Sequence, residues 1–164
     1  MFLKNSCKNC KSNYELSELT TIDEMLIAFR KRCPVRIYMP QKPPNMAFAL
    51  TDSKTFYISN LEVYLGKQPE GPFTVDNSTA SLVKRIADDI GSYRNVTFDN
   101  WFTSIPLALS LLEDYKLTIV GTNRRNKREI LNEFLKTRRR TPKTSFLDFK
   151  KNLLRFPTYQ ILKL

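Results

Sequence analysis

A chain of 164 residues with 41% hydrophobic content is long enough to bury a core and too apolar for a disordered polymer. It contains no histidine, which excludes Ser-His-Asp and Cys-His catalysis and leaves carboxylates, lysines or a metal ion to carry any chemistry. The net charge of +11 is concentrated, since 13 of the 27 Lys and Arg but only 3 of the 16 Asp and Glu fall in residues 121–164; such a basic third suits a polyanion, nucleic acid first, or stands as a solvated tail.

Residues 1–18 are polar, without Gly or Pro, and read as the end of a helix and a connector that lack a partner. Met1 to Asn5 have no apolar signal-peptide core, and residues 100–112, the longest uncharged apolar-leaning run, are too short to span a bilayer. An intracellular protein without a membrane segment is the expectation. Cys7, Cys10 and Cys33 are few and odd in number, which fits a reducing compartment; Cys7 and Cys10 have the spacing of half a zinc site, but the other half is missing.

From Leu19 the pattern is strand-like, with a short strand ending near Asp23. Residues 35–39 alternate apolar and polar character until Pro40, Pro43 and Pro44 close them, and residues 46–50 and 55–65 supply two further strands of an antiparallel set. A loop over residues 66–77 leads to an amphipathic helix carrying Leu82, Val83, Ile86, Ala87 and Ile90, with Ser78 as its cap and Gly91 as its stop. Residues 95–99 read as a strand and Ser104-Ile105-Pro106 as a helix start, with Leu107, Ala108, Leu111 and Leu112 as the buried stripe. Residues 117–120 return to strand, and residues 128–136 form a last amphipathic helix on Ile130, Leu131, Phe134 and Leu135 before the Arg138-Arg139-Arg140 run and Pro142. This order is that of an α/β protein.

Asp23 and Asp99 each stand at the end of an apolar stretch. A carboxylate there is costly unless paired, hydrogen-bonded or bound to a cation, so the two converging in the fold would suit a divalent ion. Glu24, on the opposite face of its strand, receives no role.

Several blocks, in order, resemble the catalytic core of piggyBac-type transposases. They are Leu19-Thr20-Thr21-Ile22-Asp23-Glu24, the run from Phe29 to Pro43, Thr51-Asp52-Ser53-Lys54-Thr55-Phe56-Tyr57, Val63-Tyr64-Leu65-Gly66-Lys67, Arg94-Asn95-Val96-Thr97-Phe98-Asp99-Asn100-Trp101-Phe102-Thr103-Ser104-Ile105-Pro106-Leu107-Ala108, and Leu117-Thr118-Ile119-Val120-Gly121-Thr122 with Asn126-Lys127-Arg128-Glu129-Ile130. The resemblance covers residues 2–145. It implies a ribonuclease-H-like mixed sheet with flanking helices, truncated, in which Asp23 on the first strand and Asp99 at the end of the fourth are neighbours. It divides the chain into a connector at 1–18 from a missing N-terminal region, a partial catalytic domain at 19–145, and a divergent basic end at 146–164.

By the same resemblance, Asp23 and Asp99 match two of three catalytic, metal-ligating aspartates that hold Mg²⁺ or Mn²⁺ for DNA cleavage and strand transfer; the third has no counterpart, which leaves enzymatic activity open and makes the chain alone inactive in expectation. DNA is the implied partner, with no small-molecule substrate, the nucleus the implied location, and a dimer the state of full-length relatives. Arg124, Arg125, Lys127 and Arg128 are positioned to track phosphates. Trp101 stacks either on an unpaired base or on the adjacent helix. The alternative reading is a domesticated, non-catalytic DNA-binding protein that uses the basic C-terminal third.

Overall fold

Thr20 and Ile22 point inward and are fully buried while Leu19 and Asp23 are exposed, the period-two pattern of a strand with one face on a core. The computed structural model describes residues 2–27, 45–64, 70–72, 74–88 and 90–122. In chain order these form helix α1 (Phe2–Asn13), strands β1 (Leu19–Ile27), β2 (Asn45–Asp52) and β3 (Ile58–Val63), helix α2 (Thr79–Ala87), strand β4 (Asn95–Phe98), helix α3 (Ile105–Tyr115) and strand β5 (Thr118–Gly121). The expected strand at 35–39 and helix at 128–136 lie outside the described residues.

The strands make one mixed sheet in the order β3-β2-β1-β4-β5. β1 pairs antiparallel with β2 from Thr20 opposite Asp52 to Ile27 opposite Asn45, and β2 pairs antiparallel with β3 through an irregularity at Leu50 and Thr51. On its other side β1 runs parallel to β4, and β4 parallel to β5. Central β1 therefore separates an antiparallel half from a parallel half. Its buried hydroxyl, Thr20 Oγ1, donates to the Asn95 carbonyl at 3.0 Å, so the strand's one fully buried polar side chain is satisfied.

Ile22, Leu50, Val96, Phe98 and Ile119 supply the sheet's share of the core, and Leu82, Val83 and Ile86 of α2 with Leu107 and Leu111 of α3 supply the helical share. Both helices begin where the sequence signals place them. Ser78 Oγ accepts from the Ser81 amide and Ser104 Oγ from the Leu107 amide, with Pro106 in the first turn of α3. Gly91 adopts φ +79, beyond an α2 that already ends at Ala87 with Asp88 as its cap.

Two expectations are corrected. The first strand does not stop near Asp23 but continues to Ile27, because β2 goes on pairing with it after β4 has ended. The N-terminal segment does not lack a partner: α1 lies against β3, the Cys7 thiol donates to the Leu61 carbonyl, and Tyr57 Oη donates to the Cys10 carbonyl. Tyr14 stacks on Tyr57 with ring centroids 4.2 Å apart, and Leu16 enters the core.

Candidate metal centre

The parallel pairing of β1 with β4 builds the site. Leu19 is opposite Asn95 and Ile22 opposite Phe98, so the next residue on each chain is Asp23 and Asp99. Both aspartates are exposed, whereas Ile22 and Phe98 immediately before them are buried. β4 ends there while β1 continues, and the diverging chains leave the carboxylates at the carboxyl end of a parallel strand pair, the place where open α/β sheets bind ligands.

Each aspartate is held by backbone contacts. Asp23 Oδ1 accepts the amide proton of Glu24 at 2.8 Å. The Asp99 carbonyl accepts from the amides of Phe102 and Thr103, each at 3.2 Å, and from Thr103 Oγ1 at 2.9 Å, which closes the chain into a tight turn. Thr103 is buried, and its side chain rests against Gly121 at the end of β5.

Glu24 pairs in register with Phe48, on the core side of β1 and on the face opposite Asp23, as strand alternation predicts, and it is half-buried there. Burial first, then the adjoining Asp23 carboxyl and the charges of Asp23 and Asp99, push the Glu24 carboxyl above its ordinary value. Three acidic groups therefore share one negative field, which favours a cation. Strand alternation alone could not reveal this, because it gives the direction of Cβ and not the reach of a glutamate.

Hard oxygen donors fit Mg²⁺ or Mn²⁺, and Mg²⁺ is commonly held by only one or two carboxylates together with waters and phosphate oxygens. Asp23 and Asp99, one residue beyond the last register pair of β1 and β4, are two such oxygen donors. Among the described residues no group of three or more Asp, Glu, Cys or His is gathered closely enough to form an all-protein cage. Cys7 and Cys10 are free thiols in α1.

Trp101 is half-buried, its ring nearly parallel to Phe48 with centroids 5.4 Å apart and nearly perpendicular to Phe102 at 4.8 Å. One ring face is thus engaged by Phe48 within the protein. Arg124, Arg125, Lys127 and Arg128 lie outside the described residues. A separate cavity of about 390 Å³ lies between the end of α1 and the loop before β4. Its Arg94 guanidinium is already bound to the carbonyls of Leu16 and Ile90 and to Glu15, so its role there is structural.

Asp52, the last residue of β2, is a buried carboxylate outside this site. It is fully buried, and it accepts amide protons from Ser17 at 2.6 Å, Lys54 at 2.8 Å and Thr55 at 3.0 Å. An aspartate two and three residues before available amides is a legible turn signal.

A family model described as Transposase IS4 matches residues 2–157, a span that runs beyond residue 145. Among solved structures, the chain is similar to the piggyBac transposase in a cryo-EM synaptic complex with hairpin DNA, with 44% identity and a TM-score of 0.76. That match covers 88% of this chain and 31% of the other, so the chain spans about a third of the transposase it resembles. No curated protein matches. The sheet and its helices have the ribonuclease-H-like architecture of the piggyBac catalytic domain.

Proposed function

We propose that this chain, which belongs to the IS4 transposase family and to its piggyBac branch as a part of the DDE catalytic domain, binds a divalent cation through Asp23 and Asp99 and presents it to DNA. The observation that carries the reading is the register of β1 and β4, which makes the two aspartates neighbours although they are remote in sequence. A bound Mg²⁺ or Mn²⁺ supplies Lewis-acid stabilisation of phosphate oxygens and lowers the pKa of an attacking hydroxyl. The chain's own residues orient the ligands: the Glu24 amide holds Asp23, and Thr103 holds the backbone of Asp99. Glu24 adds negative charge beside them.

We assign to Asp23 and Asp99 the binding of a divalent ion. Cleavage and joining belong to the family's complete catalytic set. The solved relative was captured with hairpin DNA, which supports DNA as the partner and is compatible with the nuclear location we propose. Among the described residues no helix is long and apolar enough to cross a membrane.

Mn²⁺ titration of the wild-type chain against Asp23→Ala and Asp99→Ala tests the site. Saturable binding lost in both variants is the expected result, and equal binding by all three chains would remove the assignment. A second reading is favoured by the basic third of the sequence: a non-catalytic protein that binds the DNA backbone through Arg124, Arg125, Lys127 and Arg128. It predicts duplex binding that survives in Asp23→Ala and Asp99→Ala and weakens steeply with salt.

A further inference from the structure

We infer that Thr103 is a positioning residue for the Asp99 carboxylate, and that Gly121 is the space its side chain requires. This inference rests on the reading of Asp99 as a metal ligand. Thr103 Oγ1 donates to the Asp99 carbonyl at 2.9 Å, alongside two weaker amide bonds of 3.2 Å from Phe102 and Thr103 itself. Asp99 is the first residue beyond β4, where no ladder partner fixes its backbone, so the hydroxyl does what the sheet no longer does.

Gly121 provides the second observation. It pairs with Phe98, the residue before Asp99, and a Cβ added to it would overlap Thr103 Oγ1 and come to 3.0 Å of Thr103 Cγ2. Its φ is not left-handed, so what the position demands is room rather than unusual backbone freedom. Any larger residue displaces the threonine side chain and breaks its bond to Asp99. β5 thereby braces the residue just beyond β4 by contact with the turn that follows it. Groups that orient a metal ligand without touching the metal commonly contribute ten- to a hundredfold in affinity.

Thr103→Val is nearly isosteric, and the Asp99 carbonyl keeps its two amide donors, so this variant is expected to fold. It should weaken Mn²⁺ binding by about tenfold or more. In the metal-free chain it should also speed amide exchange at Phe102 and Thr103 while the amides of Lys54 and Thr55, which are bound to Asp52, stay unchanged. Thr103→Ser should restore both readouts, and Gly121→Ala should reproduce the valine variant with the hydroxyl still present.

Unchanged Mn²⁺ affinity in Thr103→Val, with binding still lost in Asp99→Ala, would overturn the positioning role and leave the metal site standing. Exchange that rises equally at all four amides would reduce Thr103 to a general contributor to stability and also overturn it. Wild-type and Asp99→Ala chains that bind Mn²⁺ alike would overturn the metal reading, and the positioning role with it.

Discussion

The Ser17 amide donates to Asp52 Oδ2 at 2.6 Å, joining the segment that leads into the central strand to the turn that links β2 and β3. Burial alone would raise the Asp52 carboxyl, but amide donors from Ser17, Thr55 and Lys54, together with the Ser17 hydroxyl, hold it well below the usual carboxylate range. A group whose folded pKa is depressed contributes stability that is fully present above its unfolded value, about 3.9, and is lost as pH falls toward the folded one. The urea midpoint of the wild-type chain should therefore drop below about pH 4, and that of Asp52→Asn should drop less. At neutral pH, Asp52→Ala leaves three amides without their acceptor and should cost about 2–4 kcal/mol.

Phe56 lies in the same turn with φ +60 and a side chain 80% exposed. A bulky residue in left-handed backbone costs about 1–2 kcal/mol, and an exposed ring recovers little of that by burial. Glycine loses more chain entropy on folding, about 0.5–1 kcal/mol, so Phe56→Gly should be a small net gain. A higher urea midpoint with an unchanged slope is the expected outcome, and a lower midpoint would show that the ring makes a stabilising contact.

Local signals were legible wherever the physics is local. Ser78 and Ser104 cap the helices they precede, and Leu82, Val83, Ile86, Leu107 and Leu111 form the buried stripes that their spacing indicates. The end of β1 was misplaced because two acidic residues, Asp23 and Glu24, interrupt its apolar pattern, while pairing with β2 carries the strand on. α1 was read as lacking a partner because its residues show no apolar stripe; its attachment to β3 runs through the carbonyls of Leu61 and Cys10 and the ring of Tyr57, none visible in a hydropathy pattern. At the candidate site, residue type flagged both aspartates. Their proximity, the Glu24 carboxyl beside them and the fit of Thr103 against Gly121 depend on strand order, and period-two alternation does not specify order.

If the basic third of the sequence tracks phosphates, duplex binding should be governed by counterion release. Each phosphate contact contributes about 0.9 to the slope of log K against log salt. Replacing Arg124, Arg125, Lys127 and Arg128 together by alanine should flatten that slope by about 3 to 4 and weaken binding similarly on unrelated sequences. A slope unchanged by the quadruple substitution would assign the contacts elsewhere in the chain.

The two aspartates also allow function to be separated from stability. Asp23 and Asp99 are exposed and lie beside the half-buried Glu24, so each contributes repulsion to the metal-free fold and little packing. Asp23→Asn and Asp99→Asn keep the shape and remove one charge each. Metal-free, both variants should melt at or above the wild-type temperature, because a charge with no ion-pair partner among the described residues has been removed from a crowded negative site. In Mn²⁺ the order should reverse: wild type gains stability as RT ln(1 + [L]/Kd), and variants that have lost the site gain none. A core residue behaves otherwise, since Ile22→Ala, truncating a fully buried side chain beside Asp23, should cost about 2–5 kcal/mol with or without the ion. Melting curves of the four chains at zero and millimolar Mn²⁺ distinguish the cases, and aspartate variants that are destabilised in the metal-free state and still stabilised by Mn²⁺ would mean that these carboxylates serve the fold and bind no cation.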